Sequence, residues 1–152
     1  MSAGGVAVLE YVTLTVAGQL FGLPIRRVQD VFILERLTRV PLAGPCIVGV
    51  LNLRGRIVTA IDLRARLGLP SREIGPSSLA IGIECDGEVC GLTVDAVGEV
   101  MALDALSRGP VPANLDPRWR EVAQCVHRLD SGFLVVLDVE RVLNLETDRA
   151  AA

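Results

Sequence analysis

Two aspartates are the residues best suited by type and spacing to carry out chemistry in this chain. Asp62 and Asp138 hold corresponding positions in two similar stretches of sequence, and a duplicated fold that paired their carboxylates could run acid–base hydrolysis. However, Leu-Arg follows one aspartate and Val-Glu the other, with no glycine or small hydroxyl residue to let the carboxylates approach. Because each aspartate can equally well cap a short helix, we predict two caps. A small hydrolase using Asp62 and Asp138 is the remote alternative.

No other group in the sequence has the neighbours that catalysis needs. His127 is the only histidine, and no serine or cysteine beside it forms a recognisable nucleophile motif, so we expect a surface or groove residue on a strand. All fifteen basic residues are arginine, which excludes Schiff-base chemistry and a Walker-type phosphate loop. We therefore predict no catalytic residues, no cofactor and no enzyme.

The cysteines are spaced like core residues. None forms a C-x-x-C pair, so we predict no metal site and place the four in the apolar interior: Cys46, Cys85, Cys90 and Cys125. Cys85 and Cys90 flank a hairpin turn and could face each other as a redox pair. Their counterparts in the first repeat, Val16 and Phe21, are plainly apolar, which favours small core hydrophobes.

The elements that position these residues come from an internal duplication. At an offset of 69, a first set recurs in the second half of the chain: Gly18, Gly22, Leu23, Val28 and Val31. At an offset of 76, a second set recurs: Val50, Leu53, Asp62, Leu67 and Leu69. We predict one domain over 8–148, made of repeat 1 at about 8–70, a linker at 71–78 and repeat 2 at about 79–148.

Within each repeat the pattern is that of short strands joined by tight turns. Residues 11–16 alternate polar and apolar side chains, the signature of a half-buried strand, and Gly18 and Gly55 supply hairpin turns. Asp116 followed by proline predicts a short helix carrying Trp119. We expect this tryptophan to pack over one end of a barrel, and an anchor for a binding partner is the alternative. The sequence therefore predicts an all-β fold of two small antiparallel barrels with a few short helices.

Composition excludes several classes of protein. The net charge is −3 and the arginines are not interleaved with aromatic residues, so nucleic acid is a poor candidate partner. The uncharged interior run 40–53 contains two prolines and is too short to cross a bilayer, and the N-terminal residues lack a secretory pattern. We expect a soluble, cytoplasmic chain without direct membrane insertion.

Charge is divided unevenly along the chain. Residues 1–76 carry nine arginines and five acidic residues, whereas 77–152 carry six arginines and thirteen acidic residues. Two solvated surfaces could have drifted apart, or opposite poles could attract each other within an assembly. The sequence leaves both interpretations open.

One hairpin points to a family. Residues 49–64 (GVLNLRGRIVTAIDLR) closely resemble the N-x-R-G…I-D-L-R signature of the CheW-type chemotaxis coupling proteins. Residues 28–31 (VQDV) resemble the V-Q-E segment of that family, and 21–23 and 91–97 resemble its matching strands. The resemblance extends from about Tyr11 to Leu145. Two positions depart from it: Asp30 stands where the family more often has Glu, and Thr59 stands near a common proline.

The resemblance implies a fold, a function and partners. Members of the family are non-catalytic scaffolds of two five-stranded SH3-like β-barrels, which couple the cytoplasmic tip of chemoreceptors to the regulatory domain of the histidine kinase CheA and form ring contacts with it. By resemblance, we expect a stand-alone cytoplasmic adaptor recruited to membrane receptor arrays. The same scaffold role in a chemosensory pathway for pili or gene expression is the alternative. Four positions map onto receptor contacts of the family, whereas kinase-contact residues stay unassigned: Val28, Asp30, Gly49 and Arg54.

Overall fold

The computed structural model describes residues 7–40, 44–70, 72–85 and 87–144. That part of the chain forms twelve strands: β1 (Val8–Val16), β2 (Gln19–Pro24), β3 (Val28–Ile33), β4 (Thr38–Arg39), β5 (Ile47–Leu53), β6 (Arg56–Asp62), β7 (Leu79–Cys85), β8 (Glu88–Val94), β9 (Ala96–Asp104), β10 (Arg108–Gly109), β11 (Ala123–Leu129) and β12 (Gly132–Leu137). Three short helices accompany them: α1 (Leu63–Arg66), α2 (Pro117–Val122) and α3 (Val139–Leu143). The prediction of an all-β fold with a few short helices is confirmed.

Tight turns with left-handed backbone set the first hairpins of the fold. Ala17 and Gly18, between β1 and β2, have φ angles of 52° and 80°. Arg54 and Gly55, between β5 and β6, have φ angles of 53° and 84°. Two successive residues with positive φ form the turn whose twist matches that of the flanking strands. These loops therefore fix the register of both hairpins.

The strands form two six-stranded sheets. Sheet I has the order β10-β11-β12-β2-β1-β9, and sheet II has the order β3-β7-β8-β6-β5-β4. Each sheet has one strand more than the five expected, because a two-residue strand, β10 or β4, is added at one edge. Within the described residues, no strand pairing joins the two outer strands of either sheet.

Each sheet combines strands from both sequence repeats. The hairpin β1–β2 lies between β9 and β12, and the hairpin β7–β8 lies between β3 and β6. The limits expected for the repeats, 8–70 and 79–148, therefore do not coincide with the sheets, and the end at 148 falls outside the described residues. The sequence offsets identify equivalent residues, but they do not say which copy of the hairpin each sheet receives.

The exchanged hairpins pair with their neighbouring strands in the same register in both sheets. In sheet I, Tyr11 lies opposite Met101, and in sheet II, Ala80 lies opposite Phe32. Ala80 is 69 residues beyond Tyr11, and Met101 is 69 residues beyond Phe32. The parallel pairs β2–β12 and β8–β6 follow the same rule. The first hairpin of each repeat thus completes the sheet of the other repeat.

A shared core lies between the two sheets, and a smaller core lies within each. The shared core draws on both sheets and all three helices, with fully buried residues such as Leu14, Phe21 and Leu92. Trp119 packs on its edge, with its ring centroid 5.3 Å from that of Phe21 and its Nε1–H donating to the Leu67 carbonyl at 3.0 Å. The prediction that Trp119 is a packing residue is confirmed.

Candidate functional site

Two of the four candidate residues meet at the rim of sheet II. Arg54 Nη1 donates to Asp30 Oδ2 at 2.7 Å, which makes an ion pair between the β5–β6 turn and β3. The Asp30 side chain is 25% exposed, whereas the Arg54 side chain is 74% exposed. The pair therefore presents a cationic group to solvent and holds its counter-ion closer to the protein.

The ion pair bridges strands that are distant in the order of sheet II. β3 and β6 are separated by β7 and β8, which would set them about 14 Å apart in a flat sheet. A contact of 2.7 Å requires the sheet to curl until its outer strand reaches the β5–β6 turn. The Asp30–Arg54 pair thus spans the opening of the rolled sheet, above the small core that contains Phe32.

Arg54 occupies a backbone conformation that ordinary residues avoid. Its φ of 53° lies in the left-handed region, which costs an L-residue about 1 kcal/mol relative to the right-handed one. Gly55 takes the second left-handed position, and its N–H donates to Asn52 Oδ1 at 2.9 Å. The turn aims the arginine side chain at Asp30, and strain of this kind is often kept at functional positions.

The other two candidates share the sheet but have different surroundings. Val28 lies at the start of β3, half-buried against the shared core, where a register shift separates it from Asp30. Gly49 lies in β5, where a Cβ atom would overlap the backbone of Thr38 and Arg39. Close approach of β4 therefore requires glycine at position 49.

The outer face of β3 adds apolar surface next to the ion pair. Because side chains alternate along a strand, Asp30 and Phe32 face the inside of the rolled sheet while Val31 and Ile33 face outward. Val31 is 41% exposed and Ile33 is 40% exposed, whereas Phe32 is buried. β3 therefore combines one charged contact with a short apolar row.

Both candidate catalytic aspartates cap helices, as predicted. Asp62 Oδ1 accepts from the Ala65 N–H at 3.3 Å at the start of α1. Asp138 Oδ1 accepts from the Arg141 N–H at 3.2 Å at the start of α3. Each carboxylate is committed to its own helix, at equivalent places in the two repeats. This placement favours capping over the acid–base pair of the hydrolase alternative.

His127 is buried, so the expectation of a surface or groove residue was wrong. Its Nδ1 lies 2.7 Å from Ser107 Oγ and its Nε2 lies 2.9 Å from the Tyr11 hydroxyl. Since Ser107 donates its hydroxyl hydrogen to the Asp104 carbonyl, Nδ1 carries the proton and Nε2 accepts from Tyr11. Burial, and secondarily the positive charge of Arg108, lower the pKa of His127. The imidazole therefore acts as a neutral link inside sheet I.

The cysteines whose side chains are described behave as core residues. Cys46 and Cys125 are buried thiols, and Cys90 is half-buried and packs against the shared core. Opposite Cys90 in the β7–β8 hairpin stands Ile83, not Cys85. Burial raises the pKa of the Cys125 thiol, which keeps it protonated and unreactive.

Asp95, for which no role was predicted, joins the two sheets. It sits between β8 and β9, where the chain passes from sheet II to sheet I. Its carboxylate accepts two hydrogen bonds from Arg64, at 2.7 and 3.0 Å, and one from the Ala17 N–H at 2.8 Å, and it pairs with Arg72 at 3.1 Å. These contacts, led by the hydrogen bonds from Arg64, hold the pKa of Asp95 far below its ordinary value.

Two further observations concern the described residues. No three His, Cys, Asp or Glu side chains among them stand close enough to hold a metal ion. None of the helices in this part of the chain is both long enough and apolar enough to span a bilayer.

The fold and the site define a small all-β domain of two interlocked sheets with a charged pair at the rim of one. The chain belongs to the CheW-like domain family, whose model matches residues 10–147.

Relatives and a solved structure agree with this assignment. The chain is 28% identical to "Chemotaxis protein CheW" of Klebsiella aerogenes over 95% of this chain and 87% of that protein. It is 27% identical to the protein of the same name from Bacillus subtilis over 93% of this chain and 91% of that one. The crystal structure of the scaffolding protein TtCheW from Thermoanaerobacter tengcongensis superposes with a TM-score of 0.81 at 29% identity, covering 92% of this chain and 95% of that one.

Proposed function

We propose that this protein is a non-catalytic chemotaxis adaptor that couples chemoreceptors to a CheA-type histidine kinase. The relatives that match most of its length carry the name chemotaxis protein CheW, and a structural neighbour is described as a scaffolding protein. The protein would act on the cytoplasmic side of the membrane, held in receptor arrays by its partners. Its function would then depend on binding surfaces alone.

The receptor would bind at the rim of sheet II, through Val28, Asp30, Gly49 and Arg54. The observation that carries this proposal is the Asp30–Arg54 ion pair, which joins two candidates 24 residues apart in sequence at one exposed spot. A single donor nitrogen of Arg54 faces Asp30, and the side chain is largely exposed, which leaves further N–H groups for acceptors on a receptor helix. The exposed Val31 and Ile33 would supply apolar contact beside the charge.

Val28 and Gly49 would act through the shape of this surface. Val28 closes the base of β3 against the shared core, and Gly49 lets β4 approach β5. Both residues fix the backbone on which Asp30 and Arg54 are mounted.

The proposal is tested by measuring binding of the full chain to a receptor signalling-tip fragment and to a CheA regulatory domain, each alone and both together. Replacing Arg54 with Ala removes a charged contact whose loss typically costs about 2–5 kcal/mol when the contact is desolvated. We expect Arg54→Ala to weaken receptor binding at least tenfold, since 1.4 kcal/mol corresponds to that factor. Binding to the kinase domain should stay unchanged.

The matched control is Arg56→Ala. Arg56 is an exposed arginine of the same hairpin, and its Nη2 donates to the Gly87 carbonyl instead of an acid. This variant removes the same charge from the same region and should keep receptor binding. An equal loss of receptor binding in both variants would mean that Arg54 contributes only its positive charge. Normal receptor binding by Arg54→Ala would contradict the proposed site.

A further inference from the structure

Asp30 is one methylene shorter than the glutamate that the family more often has at this position, yet it reaches Arg54. The oxygen-to-nitrogen distance of 2.7 Å is that of a strong charged hydrogen bond. The short side chain must therefore approach Arg54 from a position that the surrounding strands leave open. The residue opposite Asp30 in the neighbouring strand β7 is Gly82.

Gly82 is required by space and not by backbone conformation. Its φ lies outside the left-handed region, so another residue could adopt its backbone. A Cβ atom built on it would lie 2.7 Å from Asp30 Oδ1 and 3.2 Å from Phe32 Cε1. The first distance is closer than real Cβ contacts allow, so the carboxylate of Asp30 occupies the space that a side chain at position 82 would need.

The equivalent place in sheet I is built differently. By the offset of 69, Thr13 corresponds to Gly82 and Glu99 to Asp30, and by the offset of 76, Asp130 corresponds to Arg54. Thr13 uses its hydroxyl to bond the Glu99 backbone carbonyl at 2.7 Å. Where sheet II has a glycine, a short acid and an arginine, sheet I has a hydroxyl side chain and two acids. The glycine therefore occurs in sheet II, the sheet that contains the Asp30–Arg54 ion pair.

We propose that Gly82 is a positioning residue of the receptor-binding surface, matched to the short acid at position 30. The absence of a side chain at Gly82 lets the Asp30 carboxylate lie against β7 and face Arg54. Because β7 belongs to the second repeat, the second half of the chain completes a surface whose charged residues come from the first half. This inference rests on the proposed function for its binding readout, whereas its structural readout is independent.

The test compares four variants of the full chain. Gly82→Ala places a methyl group against the carboxylate and should turn it away from Arg54. Asp30→Glu in the Gly82→Ala background carries the carboxylate past that methyl group and should restore the pair. Gly91→Ala is the matched control, because Gly91 faces Gly82 across β7–β8 and its Cβ would meet Phe32 at 2.8 Å without meeting Asp30. Arg54→Ala sets the level of full loss.

We expect Gly82→Ala to weaken binding of a receptor signalling-tip fragment about fivefold, the scale of an exposed ion pair converted to affinity. The double variant should return to within about twofold of the unmodified protein on the same scale. Gly91→Ala should bind normally but melt at a lower temperature, since the Phe32 ring must move within a packed core. Normal binding by Gly82→Ala, or a double variant no better than Gly82→Ala alone, would overturn the proposal.

Crystal structures of Gly82→Ala and of the double variant decide the matter without a receptor. The distance between the carboxylate at position 30 and Arg54 Nη1 should exceed 4 Å, the limit of an ion pair, in the first and return below it in the second. An intact pair in Gly82→Ala would overturn the role of Gly82. If the unmodified protein bound no receptor fragment, the proposed function would fail while these distances still tested the positioning role.

Discussion

Asp30 and Arg54 form an ion pair of 2.7 Å that ties the outer strand of sheet II to a turn three strands away. Arg54 holds this position in a left-handed conformation that is costly for any residue with a side chain. The adjacent Gly55 is free to adopt it, whereas Arg54 is not. A glycine at position 54 would remove this strain, so folding does not require arginine there. We infer that arginine is kept for binding.

Replacing Arg54 with Gly should not destabilise the protein. Relief of the left-handed conformation should contribute up to about 1 kcal/mol, and loss of a largely exposed ion pair should cost less than about 1 kcal/mol. Arg54→Ala, which keeps a Cβ and gains no relief, should lower the free energy of unfolding by less than about 1 kcal/mol, the upper limit for that ion pair. Urea unfolding of both variants at neutral pH checks this. A loss of several kcal/mol in either variant would make Arg54 a folding residue.

The local features of the fold could be predicted from the sequence. Asp62 and Asp138 precede apolar helical turns, and Gly55 follows an arginine between two strands, so caps and hairpin are readable from neighbours in the chain. His127 could not be predicted as buried, because β11 is covered on both faces near its centre and loses the alternation typical of a half-exposed strand.

The long-range features could not be predicted. The resemblance named Asp30 and Arg54 as separate contacts, and their pairing follows only from the curl of sheet II. Likewise, each hairpin would bury the same apolar face whether it joined the sheet of its own repeat or that of the other repeat. The spacing of hydrophobic residues therefore cannot distinguish the two arrangements. Asp95 was missed for a similar reason, since its partners lie 31 and 78 residues away in the sequence.

His127 should make stability depend on pH between 7 and 5. Burial lowers its pKa in the folded state below the ordinary value of about 6.5, so the unfolded chain binds this proton first. The free energy of unfolding should therefore fall as the pH falls below about 6.5, by at most about 1.4 kcal/mol per pH unit. Urea unfolding across this range measures the slope.

A comparison of two variants assigns that slope. His127 is the only histidine in the chain, so His127→Gln should remove most of the dependence between pH 7 and 5. Ser107→Ala removes the partner of Nδ1 but keeps the imidazole, and it should retain a slope. An unchanged slope in His127→Gln would assign the proton uptake to other groups.

Asp95→Asn should be strongly destabilising. The change leaves the Arg64 guanidinium without its charged partner, and the Arg64 side chain is only 17% exposed. We expect the free energy of unfolding to fall by about 2 kcal/mol, a value between those for exposed and buried ion pairs. Arg72→Ala, which removes a 59% exposed partner of the same carboxylate, should cost less than about 0.5 kcal/mol. Equal costs for the two variants would contradict the central role of the Arg64 contact.

The cost of Asp95→Asn should also depend on pH. Because the folded pKa of Asp95 is lowered, its contribution is fully present above the unfolded value of about 4 and is lost as the pH falls toward the folded pKa. The difference in stability between the unmodified protein and Asp95→Asn should therefore shrink below about pH 4. Thermal unfolding at neutral and acidic pH measures this difference.

The exchanged hairpins predict that the two halves of the chain hold together without a covalent link. A protease recognition sequence inserted between the exposed residues Arg72 and Glu73 allows the folded chain to be cut between the repeats. Each fragment then still has a hairpin inserted in the sheet of the other, β1–β2 in sheet I and β7–β8 in sheet II. The cut protein should elute as one particle of unchanged size.

Cutting should alter how this particle unfolds, because separation of the halves becomes a bimolecular event. The melting temperature of the cut protein should fall on dilution, as it does for any complex whose folded state requires both partners. The uncut insertion variant is the control, and its melting temperature should not depend on concentration. After cutting, a single cooperative transition should remain, since neither sheet is complete within one fragment. Two independent transitions, or fragments that separate under native conditions, would mean that each repeat folds by itself and that the hairpins do not interlock the halves.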